Sequence, residues 1–178
     1  MSQPIASAFV YCPVCKAKAK KTGVNPFQCH RCDFTFFFGP TTAVAAIVAD
    51  DEGRVLLLER AKDPGKGLYG LPGGFVDVGE KLEEAVLRET LEELNLTAVK
   101  PEYLCSFPNV YVYKGNELPV CDTFFVCHIE SLDDLQLDAG EVASYKYRKL
   151  TPATLKKMAF NSNRRALEFY KERMKAEG

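Results

Sequence analysis

The chain holds 178 residues, 47% of them hydrophobic and 26% charged, with a formal net charge of −1. That length suits one domain with a small appendage, and that composition suits a soluble globular protein. The near-neutral balance excludes a global attraction to nucleic acid or to an anionic membrane, and no apolar run reaches the roughly 20 residues that span a bilayer.

Met1 to Lys16, MSQPIASAFVYCPVCK, lacks the basic stretch and apolar core of a secretory signal, so a cytoplasmic location is expected. Residues 1–40 read as a first unit. Cys12-Pro-Val-Cys15 and Cys29-His-Arg-Cys32 form two C-x-x-C pairs at the tips of two turns. Four thiolates at this spacing can close a tetrahedron around Zn²⁺. So short a segment cannot bury a sufficient core of its own, and the metal would supply much of its folding energy. The pattern resembles a zinc ribbon. Two disulfides are the rival reading, disfavoured by the expected location; a redox dithiol is weaker, since one ion explains both pairs. His30 lies between two proposed ligands and reads as solvated, or as a substitute ligand. Lys16, Lys18, Lys20 and Lys21 make a basic knuckle without interleaved aromatics, which favours a solvated loop over a nucleic-acid surface. Phe34 to Phe38 reads as the last strand of this unit.

Thr41 to Ala49 predicts a strand, Asp50 to Gly53 a hairpin turn and Val55 to Arg60 the return strand. Ala61 to Gly70 is a loop rich in Gly and Lys. Gly74 to Leu96 then reads GFVDVGEKLEEAVLRETLEELNL, a glycine turn ahead of a helix ending near Asn95. Each helical residue advances by roughly 100°, so Glu89, Glu92 and Glu93 share one face, and Leu87, Leu91 and Leu94 are expected on the opposite one. Three carboxylates on one face need a cation among them. A hard divalent ion such as Mg²⁺ or Mn²⁺ takes oxygen ligands and is usually held by carboxylates together with substrate phosphates. The stretch thus points to metal-assisted chemistry on a phosphate. An ordinary amphipathic surface helix with Glu84–Arg88 and Arg88–Glu92 pairs also fits the helix. It leaves the glycine turn, Glu80 and Arg88 unexplained.

Two further strands are expected at about Tyr103 to Tyr113 and Cys121 to Ile129, joined through Lys114 to Glu117. Residues 130–141 are acidic and loop-like, and Ser144 to Arg148 suggests another strand. Thr151-Pro152 reads as an N-cap followed by Pro at N1. Residues 162–176 suit a final helix with an apolar set at Leu167, Tyr170 and Met174. Cys105, Cys121 and Cys127 lie in strand-like sequence and are expected as buried, reduced thiols.

Gly74, Glu80, Arg88-Glu89, Glu92-Glu93 and Leu96, preceded by Leu71-Pro72-Gly73-Gly74, resemble the signature of the Nudix hydrolases. Two positions depart from that pattern. Thr90 stands for an aliphatic residue whose packing its methyl can supply. Asn95 stands for Gly, and Asn is the next-best residue at a left-handed helix C-cap. Neither touches a carboxylate. The resemblance implies an α/β fold, an α/β/α sandwich with a mixed sheet, over residues 41–178.

It also implies hydrolysis of a nucleoside diphosphate linked to another moiety. Glu92 and Glu93 would ligate Mg²⁺ or Mn²⁺, joined by the backbone carbonyl of Gly73. Glu89 would be a further ligand or would help deprotonate water. Arg88 would orient the carboxylates, and Glu80 would brace the loop. Glu141 is the candidate acid from a later loop, ahead of Asp138 and Asp134. Arg60 and Lys66 are placed to meet phosphates, Tyr69 occupies a position where the family often carries an aromatic, and Phe75 could stack on a base.

A zinc ribbon joined to such a domain is similar to the NADH pyrophosphatases. Those carry a Ser-Gln-Pro-Trp-type motif where this chain has Ser106-Phe107-Pro108-Asn109-Val110, and the chain contains no Trp. Strict NADH specificity is therefore not expected. Tyr111 and Tyr113 lie where dinucleoside-polyphosphate hydrolases often have a tyrosine. ADP-ribose or a related dinucleotide is the favoured class. A nucleotide-sensing module whose ribbon meets a nucleic acid or protein is the rival from another class, and an RNA-end hydrolase the third reading. The expected partners are a small-molecule nucleotide and, by the resemblance, a second copy in a homodimer, with neither nucleic acid nor membrane.

Overall fold

The computed structural model describes residues 2–129 and 131–177. Of the acidic stretch 130–141, Glu130 lies outside the described residues. The chain divides into two compact units, one of residues 1–41 with 110–120 and one of 42–109 with 121–178.

In the first unit, β1 (Gln3–Pro4) runs into a 3₁₀ turn at Ile5–Ala8, and β2 (Phe27–Gln28) pairs antiparallel with β3 (Thr35–Phe36). Only two of the five expected residues of Phe34 to Phe38 are strand. The two C-x-x-C segments make matching knuckles. The Lys16 amide donates to the Cys12 carbonyl and the Asp33 amide to the Cys29 carbonyl, both at 3.0 Å. Lys16 (φ 62°) and Asp33 (φ 57°) take the left-handed conformation that closes each turn. The small core consists of Cys12, Cys29 and Phe27, with Phe9, Phe34 and Phe38 packed against it. Phe9 is the hub, its ring 5.4 Å from Phe27 and 4.7 Å from Phe38.

The second unit is built on strands buried on both sides. They are β4 (Thr41–Ile47) and β5 (Val55–Arg60), followed by β6 (Tyr69–Gly70), α1 (Leu82–Leu94), β7 (Ala98–Tyr113), β8 (Asn116–Ile129), β9 (Val142–Arg148), α2 (Pro152–Leu155) and α3 (Asn161–Glu177). In this unit β8 pairs with β4 and β7, and a second sheet runs β6-β5-β9, all antiparallel; within the first unit β1 pairs parallel with Asn116 and Glu117.

Successive residues of a strand point to opposite faces, and here the alternation divides the core in two. Ala45, Ile47, Val55 and Leu57 join Leu155, Ala166, Leu167 and Tyr170 from α2 and α3. Val44, Ala46, Val48, Leu56 and Leu58 join Ala85, Val86 and Leu94 of α1. Helices thus cover both sheet faces in an α/β/α arrangement, which is why these strands read as continuous apolar runs.

β7 and β8 begin earlier than their apolar runs suggest, because hairpin pairing continues through polar residues. Thr151 caps α2 by accepting from the Thr154 amide, with Pro152 at N1. In α3, Leu167 and Tyr170 are buried but Met174 is 40% exposed. Cys105 and Cys127 are buried free thiols pushed up by that burial to about 11 and about 12, whereas Cys121 is half-buried. Among the described residues, no helix is long and apolar enough to cross a membrane.

Candidate active site

The glycine turn is laid against β4. The Ala46 amide donates to the Pro72 carbonyl (2.8 Å), Val44 to Gly74 (2.9 Å) and Val76 to Thr42 (3.1 Å). Gly73 sits at φ 149°, and a side-chain carbon there would run into the Val44 carbonyl. A side-chain carbon on Gly74 would lie 2.5–2.6 Å from the Glu89 carboxylate. Gly73 is therefore required by its close approach to the strand backbone, whereas a side chain at Gly74 would displace the Glu89 carboxylate.

α1 follows directly. Glu84 accepts from the Lys81 amide at 3.0 Å, and Asn95 ends the helix in the left-handed conformation (φ 53°, ψ 32°), its amide bonded to the Leu91 carbonyl. Thr90 is fully buried and its hydroxyl donates to the Val86 carbonyl at 2.7 Å, so it packs without an unpaired polar atom. The buried face differs from the expected leucine stripe. Ala85, Val86, Thr90, Glu93 and Leu94 are buried, whereas Leu91 is 50% exposed. Small side chains let the helix approach the sheet, and that rotation turns Glu93 inward beneath the glycine turn.

Arg88 is the centre of the site. Its Nε and Nη2 donate to the two Glu80 oxygens at 2.8 and 2.9 Å, Nη1 reaches Glu89 (2.8 Å) and Glu92 (3.1 Å), and Nη2 also bonds the Phe75 carbonyl (3.1 Å). Such forked, charge-assisted bonds fix orientation as well as charge. Glu80 also accepts from the Asp77 amide, and its carboxyl is drawn down to about 2, chiefly by the Arg88 bonds.

Burial pushes Glu93 the other way, up to about 8. The Gly73 amide, donating at 3.0 Å, opposes this, while the Glu89 and Glu141 charges add to it. Glu89 is likewise raised by burial, against the pull of Arg88, with Glu92 and Glu141 adding to the rise. Glu141 is thus in electrostatic reach of both acids and holds Lys62 Nζ at 2.6 Å. Arg60 exerts an opposing pull on Glu93; its Nε donates to the Pro64 carbonyl (2.7 Å), and its guanidinium lies 4.9 Å from the Phe160 ring centre.

Glu80, Arg88, Glu89 and Glu92 are thus joined directly, and Glu93 is joined to Gly73. Tyr69 packs against the core cluster that α2 and α3 complete, Lys66 stands exposed on its loop, and Phe75 enters the network through its carbonyl. Lys62 and Phe160 were not legible as site residues. The Lys-rich loop was the only signal for Lys62. Phe160 reaches Arg60 because 157–159 lies beside Tyr69, with amide–carbonyl bonds of 2.9 and 2.8 Å, a pairing no local pattern encodes.

The donor set suits a hard divalent cation: several carboxylates, one buried, beside a backbone carbonyl at Gly73 whose neighbours Pro72 and Gly74 are already bonded to β4. Among the described residues, only the four cysteines form a group of three or more metal-capable side chains with ligand atoms all within 4.8 Å of one another. The glutamates are instead held by Arg88 and Gly73. In the first unit, Cys12 and Cys32 sulfurs lie 3.7 Å apart and Cys15 and Cys29 sulfurs 3.6 Å apart. All four are free thiols. Those separations exceed the S–S bond of about 2.05 Å and match the edge of about 3.8 Å that a tetrahedron with Zn–S near 2.3 Å requires. The Arg31 amide draws the Cys29 thiol down, while, against the Phe34 amide, burial and the three neighbouring sulfurs push the Cys32 thiol up, as expected where four crowded sulfurs share protons.

Comparison with known proteins agrees with this geometry. An ADP-ribose pyrophosphatase of Methanocaldococcus jannaschii is 44% identical over 63 residues, 35% of this chain and 37% of that protein. An NAD-capped RNA hydrolase of Schizosaccharomyces pombe is 31% identical over 138 residues, 68% of this chain and 35% of that protein. The match spans little more than a third of the length of either curated relative. The NUDIX domain of Shewanella oneidensis NrtR, solved with ADP ribose, superposes with a TM-score of 0.61 at 27% identity, covering 76% of this chain and 89% of that one. A NUDIX hydrolase from Nitrosomonas europaea, 24% identical, shares the fold with a TM-score of 0.64 over 91% of this chain and 90% of its own. Residues 39–170 match the NUDIX domain model, most of the chain, and the protein belongs to the Nudix family.

Proposed function

We propose that the protein is a divalent-metal-dependent pyrophosphohydrolase. It cleaves a nucleoside diphosphate linked to another moiety, with ADP-ribose or a related dinucleotide such as NADH or FAD as favoured substrate. The observation that carries this reading is the Arg88 network, which holds Glu80, Glu89 and Glu92 beside the buried Glu93 and the glycine turn. A sensor has no need of so many fixed acids.

In this reading Glu89, Glu92, Glu93, Glu141 and the Gly73 carbonyl hold Mg²⁺ or Mn²⁺, which when bound supplies Lewis acidity toward phosphate oxygens and water. Arg88 orients the carboxylates, and Glu80 fixes Arg88. Glu89 serves either as one of those ligands or as the group that helps deprotonate the attacking water, and burial, which raises its carboxyl, suits the second role. Arg60, held by Pro64 and Phe160, binds phosphate together with Lys66, while Tyr69 and Phe75 flank the nucleoside. Residues 1–40 form a zinc ribbon around a structural Zn²⁺ and 41–178 the hydrolase domain, in a cytoplasmic homodimer.

The name of the archaeal relative and the ADP ribose bound to the NrtR domain favour ADP-ribose. The name of the fission-yeast relative favours a second reading, in which the dinucleotide caps an RNA. The test is AMP release from ADP-ribose, NADH, NAD⁺, FAD and diadenosine polyphosphates, and NMN release from NAD-capped RNA, with Mg²⁺ or Mn²⁺ and Glu92→Gln as control. Metal-dependent cleavage lost in that variant supports the reading and ranks the substrates. Tight binding of the same compounds without turnover would replace it with a sensor.

A further inference from the structure

The near-neutral total charge conceals an uneven distribution. Residues 1–41 hold five basic residues, at 16, 18, 20, 21 and 31, against the single acid Asp33. Residues 42–178 therefore carry the other 18 basic and 23 acidic residues. Even with the charge of about −2 that four thiolates and one Zn²⁺ carry, the N-terminal segment stays positive.

The register of the first knuckle arranges this charge. Tyr11 and Lys18 face each other in an antiparallel pair. The bonds flanking them, Cys12 N to Ala17 O and Ala19 N to Val10 O, both 2.8 Å, make this a non-hydrogen-bonded pair. In such pairs the side chains leave the same face at close quarters. Ala17 and Ala19 turn inward onto the core with Cys12, so Lys18 and Lys20 turn outward with Tyr11. Tyr11 is 59% exposed. Among the described residues, none of Lys16, Lys18, Lys20 and Lys21 forms a salt bridge. The lysine run has no aromatic interleaved in sequence, and the fold supplies one from the facing segment.

We infer that the N-terminal unit carries a binding face for single-stranded nucleic acid, with Tyr11 as the stacking ring and Lys18 and Lys20, flanked by Lys16 and Lys21, as its phosphate contacts. A positive surface beside an exposed ring is the arrangement that holds a strand without reading its sequence. An anionic membrane would use the lysines but has no base to place on the ring. The inference goes beyond the hydrolytic reading and does not depend on it.

The experiment is fluorescence anisotropy of a labelled 12-residue oligouridine RNA with the zinc-loaded full chain, without Mg²⁺, across a salt series. Lys18→Glu/Lys20→Glu should weaken binding at least tenfold and flatten the salt slope by about 0.7 for each lysine. Tyr11→Ala should weaken it about fivefold to a hundredfold, and Tyr11→Phe should restore it. Zinc content should remain that of the unsubstituted protein in every variant. Equal affinity for the lysine variant, Tyr11→Phe as weak as Tyr11→Ala, or binding to phosphatidylserine vesicles without binding to the RNA would each overturn the assignment.

Discussion

The two regions that carry this protein's chemistry are built by opposite means. Around the cysteines, side chains that would grip an ion make up much of the core, since Cys12 and Cys29 are buried with Phe27 and little else. Around α1, the acids are passengers on a scaffold that is complete without them, because the strands and three helices bury more than two dozen apolar residues in two clusters. In the proposed reading a ligand would thus be part of the fold in the first region and a guest in the second. Substitutions at ligand positions should separate function from folding in one place and confound them in the other.

The sharpest test of that contrast is Glu92→Gln. Glu92 is largely exposed, so the variant should fold as the parent does while metal-dependent turnover falls by more than about 100-fold, beyond what loss of an outer partner costs. A near-normal rate would remove Glu92 from the site. Arg88→Ala comes next, expected to lower turnover by about 10- to 100-fold and to raise the Mg²⁺ concentration needed for half activity. An unchanged metal requirement would mean that Arg88 does not orient the ligands. Cys12→Ser should abolish stoichiometric zinc and open residues 1–41 to limited proteolysis, yet leave turnover within about tenfold of the parent. Retention of one zinc per chain would break the comparison from the other side.

The smallest effect expected is that of acid. The Glu80 carboxyl is held at about 2 in the folded protein against an ordinary 4.5. A carboxyl lowered by folding contributes stability that is complete above the unfolded value and is lost as pH falls through the folded one. Melting temperature should therefore decline more steeply between about pH 4.5 and pH 2 in the parent than in Glu80→Gln. Parallel declines would show that the Arg88–Glu80 pair adds no stability.

Much of this was legible before the fold was known. Arg88, Glu89 and Glu92 lie within one helix, so helical geometry alone brings them together, and Asn95 could be read as a left-handed cap. The cysteine pairs were equally local. What escaped depended on contacts between distant segments. Glu93 lies inward because Ala85 and Val86 set how α1 meets the sheet, which a count of leucines misjudges. Phe160 meets Arg60 only through the pairing of 157–159 with Tyr69. Tyr11 meets Lys18 only through a register that neither residue's neighbours announce.

The alternation in β4 and β5 has one further consequence. A residue's parity in these strands is its address. Val48, just past the end of β4, and Leu56 share a core cluster with α1, the helix that carries the acids, whereas Ile47 and Leu57 share one with α2 and α3. Two conservative truncations one position apart, Val48→Ala and Ile47→Val, would thus report on different helices. The even-numbered site can tilt the acidic face of α1; the odd-numbered one can only loosen the opposite layer.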